Sequence, residues 1–376
     1  MRVHRRNGPY LLIGLALVAS CDHAQRDTAD DQPPRVVAEQ RYVLRTPDED
    51  FDTLLDADWV DDSTVVAVAG TRTTMMLAGL NGFSLKVGRR GQGPGEFMGL
   101  VSVATAPNGT IQAIDSKNRR LSRWTTGGKL IGSVPFTGNA MGRVWQIDAG
   151  LAVRQLSGGR RATELLIFQS ESAGLSPDTP LVRRAGYLCM VCNMSVAPNG
   201  EVAVAASETS YTVHRYDAAG RPLAPVERSN IPLIRFTQTE MDSAAAFRAS
   251  KTDQMRRSGL SDSAIGNLLR TYKGATLRGR FVPDGVHYDE NSNLWLQRNV
   301  PRGAHAEADV FDAEAKLMAT VTLPVAFTIF RVTDEWILGQ VMLADDTVSL
   351  LVLHNPLIQP SAGRISADVH RAAVPQ

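Results

Sequence analysis

The amino-acid sequence predicts an all-β fold, a six-bladed β-propeller of four-stranded antiparallel blades with a helical insertion between blades four and five. The first observation behind this prediction is a recurring turn. Residues 106–109 (APNG) precede the strand-like TIQAID, and residues 197–200 (APNG) precede EVAVAA. Asn-Gly between apolar segments is typical of a tight hairpin, because both central residues of such a turn adopt positive φ. The two copies are separated by about two blade lengths of roughly 45 residues each.

The second observation is that another hairpin follows the first one in several units. Three stretches align with one another, residues 123–130 (RWTTGGKL), 215–222 (RYDAAGRP) and 310–317 (VFDAEAKL). Each unit then contains four short strands, which is the pattern of a propeller blade.

The third observation is the number of units, which is six. The strand-like segment Arg41–Arg45 precedes the first unit, and we expect it to join the last blade and close the ring. Closure removes the exposed sheet edges that invite aggregation. The propeller is therefore predicted over residues 39–358. The six units cover roughly residues 50–88, 98–137, 142–183, 189–232, 283–324 and 326–356.

One segment, residues 237–273, interrupts the strand pattern. It lacks alternation of apolar and polar residues and is rich in helix formers. Thr239 is a candidate N-cap for a first helix, and Ser261 is one for a second helix after Gly259. Two interpretations stay open for this helical hairpin: a lid over one face of the ring, or an insertion packed on its rim.

The N-terminus has the features of a lipoprotein signal peptide over residues 1–20. Arginines at positions 2, 5 and 6 precede the apolar segment Tyr10–Val18, which is too short for the roughly 20 residues that span a bilayer. Small residues then precede Cys21, and this stretch resembles a bacterial lipobox. The resemblance implies export, lipidation of Cys21 and anchoring to the inner or outer membrane of a bacterial envelope. An ordinary signal peptide is the alternative.

Two polar segments flank the predicted propeller. Residues 21–38 are predicted to form a flexible tether and residues 359–376 a flexible tail, because both lack the apolar surface needed to fold. The chain holds 40 basic and 39 acidic side chains without a basic run, so no nucleic-acid partner is expected.

The glycine-rich stretch GRRGQGPGEF at residues 88–97 raises the question of a phosphate-binding loop. No lysine follows the glycines, as a P-loop requires, and no helix is predicted after them, as a dinucleotide loop requires. We expect a turn that leads from blade one to blade two, with Phe97 filling the space between them. Anion binding by Arg89 and Arg90 is the alternative.

Parts of this sequence are similar to the six-bladed, NHL-like propeller lipoproteins of bacteria. The similarity rests on residues 91–97 (GQGPGEF), on residues 106–130 and on residues 281–298 (FVPDGVHYDENSNLWLQR). The resemblance implies a propeller, and most members of that group have no assigned activity. Its relatives include lyases and lactonases that bind metal through inward-facing residues. Those ligands cannot be matched to positions of this chain, so no metal ligand and no cofactor is predicted.

Cys189 and Cys192 form a C-x-x-C pair in a chain that is expected to be exported. Oxidising compartments favour a structural disulfide. Residues three apart point to opposite faces of a strand, so this bond requires a turn or bulge at the two intervening residues. A reduced pair, redox chemistry and a metal site stay open as alternatives.

The first strand of each blade lines the channel of a propeller, and its polar residues are the candidate site residues. A polar ring there suits a small ligand, a metal ion or ordered water. No catalytic residue is assigned. The candidates, or their neighbours, are Asp58, Ser102, Gln146, Asn193, His287 and Arg331.

Three functional hypotheses follow. The first is a lipid-anchored envelope propeller that acts as a binding or scaffold module for an unknown protein, peptide or glycan partner. The second is a metal-dependent hydrolase or lyase with its site in the central channel. The third is a sensor of an envelope polymer, which requires an aromatic groove. The five tryptophans occur about once per blade, where interblade packing is their commoner role. They are Trp59, Trp124, Trp145, Trp295 and Trp336.

Overall fold

Short β-strands account for most of the chain in the computed structural model. Every described residue belongs to the unit Pro33–Gln376. The structure describes residues 33–45, 53–135, 139–156, 163–171, 174–175, 181–184, 193–205, 209–257, 259, 261–268, 278–342 and 348–357.

The secondary-structure elements are named here in chain order. The first group is β1 (Arg35–Val37), β2 (Gln40–Arg45), β3 (Leu54–Asp61), β4 (Thr64–Ala69), β5 (Met75–Gly79), β6 (Ser84–Val87), β7 (Arg89–Arg90), β8 (Glu96–Phe97), β9 (Leu100–Thr105), β10 (Ile111–Asp115), β11 (Arg120–Trp124) and β12 (Leu130–Pro135). The second group is β13 (Asn139–Ile147), β14 (Gly150–Leu156), β15 (Thr163–Glu171), β16 (Gly174–Leu175), β17 (Leu181–Arg184), β18 (Asn193–Val196), β19 (Val202–Ala205), β20 (Thr212–Tyr216) and β21 (Val226–Glu227). The third group is α1 (Gln238–Arg257), α2 (Asp262–Leu268), β22 (Phe281–Tyr288), β23 (Leu294–Arg298), β24 (His305–Phe311), β25 (Leu317–Val325), β26 (Phe327–Val332), β27 (Trp336–Met342) and β28 (Val348–His354).

The described strands form six sheets of four or five strands and one two-stranded pair, β7 with β8. Sheets one to six begin with β3, β9, β13, β18, β22 and β26, and each continues with the strands that follow it along the chain. Consecutive antiparallel strands in successive sheets are the arrangement of a β-propeller, and the fold is an all-β propeller.

The core lies between neighbouring sheets. Each of six buried apolar clusters joins one sheet to the next, and one of them, containing Leu54 and Leu350, joins sheet six to sheet one. The strand β2 pairs antiparallel with β28 in sheet six, so the N-terminal segment joins the last sheet as the sequence predicts. The apolar residues of the strands are thus buried by packing sheet against sheet around a closed cycle.

The predicted tether is too long at its C-terminal end. Residues 21–38 are expected to be flexible, but β1 within them pairs in parallel with β25 at the outer edge of sheet five. Its two valines are strong strand formers, and β25 offers them an unpaired edge. Residues 1–20, Cys21, Cys189, Cys192 and residues 359–376 lie outside the described residues.

The glycine-rich stretch is a turn between β6 and β9, as expected. Gly88 has a φ of 81°, and a Cβ atom there would lie 2.5 Å from the Phe97 ring. Phe97 is 1% exposed and packs between sheets one and two, with its ring centroid 5.6 Å from that of Trp124. The Arg89 guanidinium forms an ion pair with Glu96, whose Oε1 lies 2.9 Å from Arg89 Nε.

Two helices lie between β21 and β22. The first begins at Gln238, and its cap is Thr237 rather than the expected Thr239. Thr237 N donates to Glu240 Oε2 at 2.8 Å, and Glu240 N donates to Thr237 Oγ1 at 3.3 Å. This reciprocal pair is a capping box, which requires Glu three residues after the cap and so selects position 237. No helix among the described residues is long and apolar enough to cross a membrane.

Candidate functional site: the central channel

The first strands of the six sheets contact one another in a closed cycle, and each holds one of the predicted site residues. Asp58 lies on β3, Ser102 on β9, Gln146 on β13, Asn193 on β18, His287 on β22 and Arg331 on β26. We refer to these six strands as the inner strands. The structure brings four of the six candidates into one cluster, Asp58, Ser102, His287 and Arg331, with two residues that the sequence did not single out.

Asp56 is one of those two residues and lies at the centre of the cluster. It is 1% exposed, and its Oδ1 lies 3.4 Å from Arg143 Nε and 3.4 Å from Arg331 Nη1. Its Oδ2 accepts hydrogen bonds from Ser102 Oγ and from Val103 N. A buried carboxylate requires such compensation, because desolvation without partners is costly.

Arg331 links Asp56 to Asp58. Its Nε lies 3.2 Å from Asp58 Oδ1, and its Nη2 donates to the carbonyl of Val103 at 3.0 Å. Burial raises the pKa of Asp58, although Arg331 and the amide of Thr105 oppose that rise. Burial lowers the pKa of Arg331, but Asp56 and Asp58 outweigh this effect and raise it overall. The Arg331 guanidinium thus favours the charged form of Asp58, which burial disfavours.

Arg143, 7% exposed, is the second residue that the sequence did not single out. Its Nη1 lies 3.0 Å from His287 Nδ1, and its guanidinium lies 5.3 Å from the ring centroid of Phe330. An arginine N–H can only donate, so Nδ1 of His287 accepts and the proton of the neutral ring lies on Nε2. Burial, Arg143 and Arg331 together hold the pKa of His287 well below its usual value. His287 is thus a neutral imidazole at pH 7.

Ser102 and Asn193 join neighbouring inner strands. Ser102 Oγ accepts from Val144 N at 2.9 Å as well as donating to Asp56. Asn193 donates through Nδ2 to Val282 O at 2.8 Å and accepts from Asp284 N at 2.7 Å. Every one of these partners is backbone or buried carboxylate, so both residues hold the channel wall together.

One end of the channel opens into a cavity of about 590 Å³, which we call the wide mouth. All six inner strands contribute to it near their C-terminal ends, where Gln146 is held by Gln112 and by the carbonyl of Ile147. One lining residue from each strand is Asp58, Thr105, Gln146, Val196, Tyr288 and Arg331.

The wide mouth combines apolar walls with carboxylates. Trp59, Trp145 and Tyr288 line it. Its four acidic residues are Asp58, Asp148, Asp289 and Glu290, and among the described lining residues the basic one is Arg331.

The other tryptophans lie in the packing between strands. Trp124 and Trp295 are buried in apolar clusters, and Trp336 packs edge-on against Tyr42. The aromatic part of the wide mouth is therefore confined to two of the five tryptophans and one tyrosine.

A second cavity, of about 320 Å³, opens at the opposite ends of the inner strands, and we call it the narrow mouth. Arg72, Arg143 and Asp284 line it. Since Arg143 reaches the narrow mouth while Asp58 and Arg331 reach the wide mouth, the ionic cluster around Asp56 lies between the two cavities. Neither cavity is lined by described residues of α1 or α2.

Comparisons with known proteins give structural neighbours. No protein-family model matches the chain, and no curated protein matches it either. A Bacteroides fragilis protein described as exported superposes with a TM-score of 0.48 and 12% sequence identity. The match covers 86% of this chain and 99% of that chain. A calcium-binding regucalcin from Agrobacterium tumefaciens has a TM-score of 0.46 and 11% identity, over 85% and 96%. An inactive virginiamycin B lyase from Staphylococcus aureus, with quinupristin, has a TM-score of 0.43 and 10% identity, over 82% and 83%. These neighbours are β-propeller proteins.

The described residues of the cluster around Asp56 are not arranged as metal ligands. Among the residues that the structure describes, no three His, Cys, Asp or Glu side chains converge as metal ligands would. Asp56 faces the guanidinium groups of Arg143 and Arg331, Asp58 faces that of Arg331, and the accepting nitrogen of His287 faces that of Arg143. Metal ligands must be unprotonated groups directed at the ion rather than at arginine.

Proposed function

We propose that this protein is a lipid-anchored, six-bladed propeller of the bacterial envelope that binds a small ligand in the wide mouth of its channel. The six sheets would be its six blades, and α1 and α2 its helical insertion. The observation on which the binding role rests is the cavity of about 590 Å³ that the inner strands form together. Ligand sites are concave, of about 300–1,000 Å³, and mostly apolar with a few polar groups.

The arrangement of the channel favours a site at the mouth over a site within it. The cluster of Asp56, Arg143 and Arg331 fills the middle of the channel with compensated charges that already have partners. The alternative of a metal-dependent hydrolase or lyase needs ligands for the metal, and the described channel residues do not offer them. Binding at the mouth is therefore the function that the geometry favours.

The anchor belongs to the same proposal. Cys21 would become the lipidated first residue of the mature chain, and residues 22–32 would connect it to the propeller. We also propose that Cys189 and Cys192 form a disulfide after export. A thiol assay on the denatured, unreduced exported protein would then detect no free thiol, whereas two free thiols would contradict the disulfide.

A capture experiment tests the binding role. The wild-type protein is incubated with a small-molecule extract of bacterial envelopes, separated from unbound material and denatured, and the released compounds are identified by mass spectrometry. Asp148→Trp places a large side chain in the wide mouth, and Glu314→Trp makes a similar change on the exposed turn before β25, outside the cavity. We expect a compound that wild type and Glu314→Trp retain and Asp148→Trp does not. Equal retention by all three proteins, or no retained compound, would contradict the proposal.

A further inference from the structure

The four carboxylates of the wide mouth differ in how many hydrogen-bond and ion-pair partners they have. Asp58 is paired with Arg331 at 3.2 Å. Asp289 is buried and accepts hydrogen bonds from Asn293 Nδ2 at 2.9 Å and from Trp295 Nε1 at 3.0 Å. These two carboxylates are part of the structure of the wall and are not available to a ligand.

Asp148 and Glu290 differ from them. Both are exposed at the edge of the cavity, Asp148 after the inner strand of sheet three and Glu290 after that of sheet five. Glu290 Oε2 accepts one hydrogen bond, from Asp334 N at 3.1 Å. Within the described part of the chain, no lysine or arginine pairs with either carboxylate. The mouth therefore presents two carboxylates without a cationic partner among the described residues, on strands that are two positions apart in the cycle of six.

The local electrostatics agree with this count. Partial desolvation raises the pKa of Glu290, and the nearby carboxylates of Asp334, Asp289 and Asp58 raise it further. Carboxylates that repel one another at this edge favour a cation over an anion there.

The aromatic lining of the wide mouth bears on whether the cation is inorganic or organic. Trp59, Trp145 and Tyr288 line the same cavity as the two carboxylates, and Trp59 Nε1 is buried without a hydrogen-bond partner among the described residues. Aromatic faces attract ammonium groups, and apolar walls favour an apolar body. Hard divalent cations such as Ca²⁺ are bound through oxygen ligands alone and gain nothing from apolar walls, so the aromatic lining favours an organic cation.

We propose that the wide mouth binds a small organic cation, an ammonium group on an apolar body, with Asp148 and Glu290 as the groups that recognise its charge. This inference rests on the proposed function, because it assigns a ligand class to the same cavity. Trp59 and Trp145 would contact the apolar part of the ligand.

Three probes of similar shape test the ligand class. They are phenethylamine as the cation, 3-phenylpropionate as the anion and 3-phenylpropanol as the neutral compound, each titrated into the exported protein by calorimetry at low salt. We expect phenethylamine to bind about tenfold more tightly than the other two. Raising the ionic strength to 0.5 M should weaken that preference, because salt screens partly exposed charges.

Charge-neutralising variants locate the recognition. Glu290→Gln and Asp148→Asn are each expected to weaken phenethylamine binding about fivefold and to leave 3-phenylpropanol unaffected. Glu314→Gln makes the same chemical change outside the cavity and should alter neither. Equal binding of all three probes, a preference for 3-phenylpropionate, binding of Ca²⁺ alone through the same carboxylates, or no binding of phenethylamine at 10 mM would each overturn the inference.

The two proposals can fail separately. If the capture experiment finds a compound that Asp148→Trp excludes and that compound is neutral or anionic, the wide mouth is the ligand site and the organic cation is wrong. If phenethylamine binds and Asp148→Trp does not affect it, the cation binds elsewhere and the inference is wrong, while the proposed function still depends on the capture experiment. If Asp148→Trp retains the same compounds as wild type, the proposed function is wrong whatever phenethylamine does.

Discussion

Asp56 and Arg331 lie 275 positions apart in the sequence, and Arg331 Nη1 lies 3.4 Å from Asp56 Oδ1. The contact joins the inner strand of sheet one to that of sheet six. Asp58, on the same face of β3 as Asp56, binds the same arginine. The first and last sheets of the propeller are thus connected by buried charge as well as by their apolar cluster.

Removing this arginine is expected to destabilise the fold. Arg331→Met would leave Asp58 without its cation and Asp56 with Arg143 alone, and breaking a buried ion pair typically costs about 3 kcal/mol. The measurement is urea denaturation followed by circular dichroism. Arg256→Met, on the exposed surface of α1, removes solvated ion pairs and should cause no measurable change. A midpoint for Arg331→Met equal to that of the wild type would show that the cluster does not stabilise the ring.

The lowered pKa of His287 leads us to predict that the stability of the fold depends on pH. Its pKa in the folded protein is well below the ordinary value near 6.5, because it is buried and faces Arg143 and Arg331. Below pH 6.5 the unfolded chain therefore binds a proton that the folded protein does not, and the free energy of unfolding falls as the pH falls. The slope from one such group is at most about 1.4 kcal/mol per pH unit.

Denaturation at pH 7, 6 and 5 measures that slope. His287→Gln should reduce it, because that variant lacks the buried imidazole. Other groups titrate in both proteins, so the difference between variant and wild type isolates His287. Identical slopes in wild type and His287→Gln would mean that the imidazole is not held neutral.

Alanine substitutions at two glycines distinguish the cost of backbone strain from the cost of overpacking. Gly82 and Gly88 have φ values of 88° and 81°, so alanine is strained at both positions. A Cβ at Gly82 would meet no atom within 4 Å, whereas one at Gly88 would lie 2.5 Å from the Phe97 ring. We expect Gly82→Ala to cost about 1 kcal/mol and Gly88→Ala about 3 kcal/mol, because the second adds overpacking. Equal costs in urea denaturation would mean that Phe97 moves aside freely.

The anchor is tested by cell fractionation. Cys21→Ala removes the residue that would be lipidated, and the variant should be released into the soluble fraction. Wild type should stay with the membranes in high salt. A Cys21→Ala protein that stays bound in high salt would show that the lipobox interpretation is wrong.

Local signals explain why the strands could be predicted from the sequence. The two APNG motifs do form turns, closed by hydrogen bonds of 2.8 Å from Gly109 N to the carbonyl of Ala106 and from Gly200 N to that of Ala197. The glycines have φ values of 80° and 83°, but the preceding asparagines do not have the positive φ that we expected of both central residues, because the central pair of each turn is Pro-Asn. The cap of α1 was placed two residues late because Thr239 and Thr237 are equally good caps by type, and only Glu240 distinguishes them.

The channel was predicted less completely. The period of two along β3 puts Asp56 on the same face as Asp58, but a sequence alone does not say how far along the strand the channel extends. Arg143 was missed because the register of β13 shifts between Ala140 and Val144, where Gly142 has a φ of 70°. A bulge of this kind changes which residues face inward. The pairing of these charges depends on strands from different sheets, which no local pattern specifies.

The central claim is that the wide mouth is the ligand site, and the position of a bound compound tests it most directly. The measurement is a crystal structure of the exported protein with the compound from the capture experiment. We predict electron density between Trp59 and Trp145, with a polar or charged group of the ligand near Glu290. Density in the narrow mouth beside Arg72 and Arg143, or on the outer surface of the sheets, would contradict the claim.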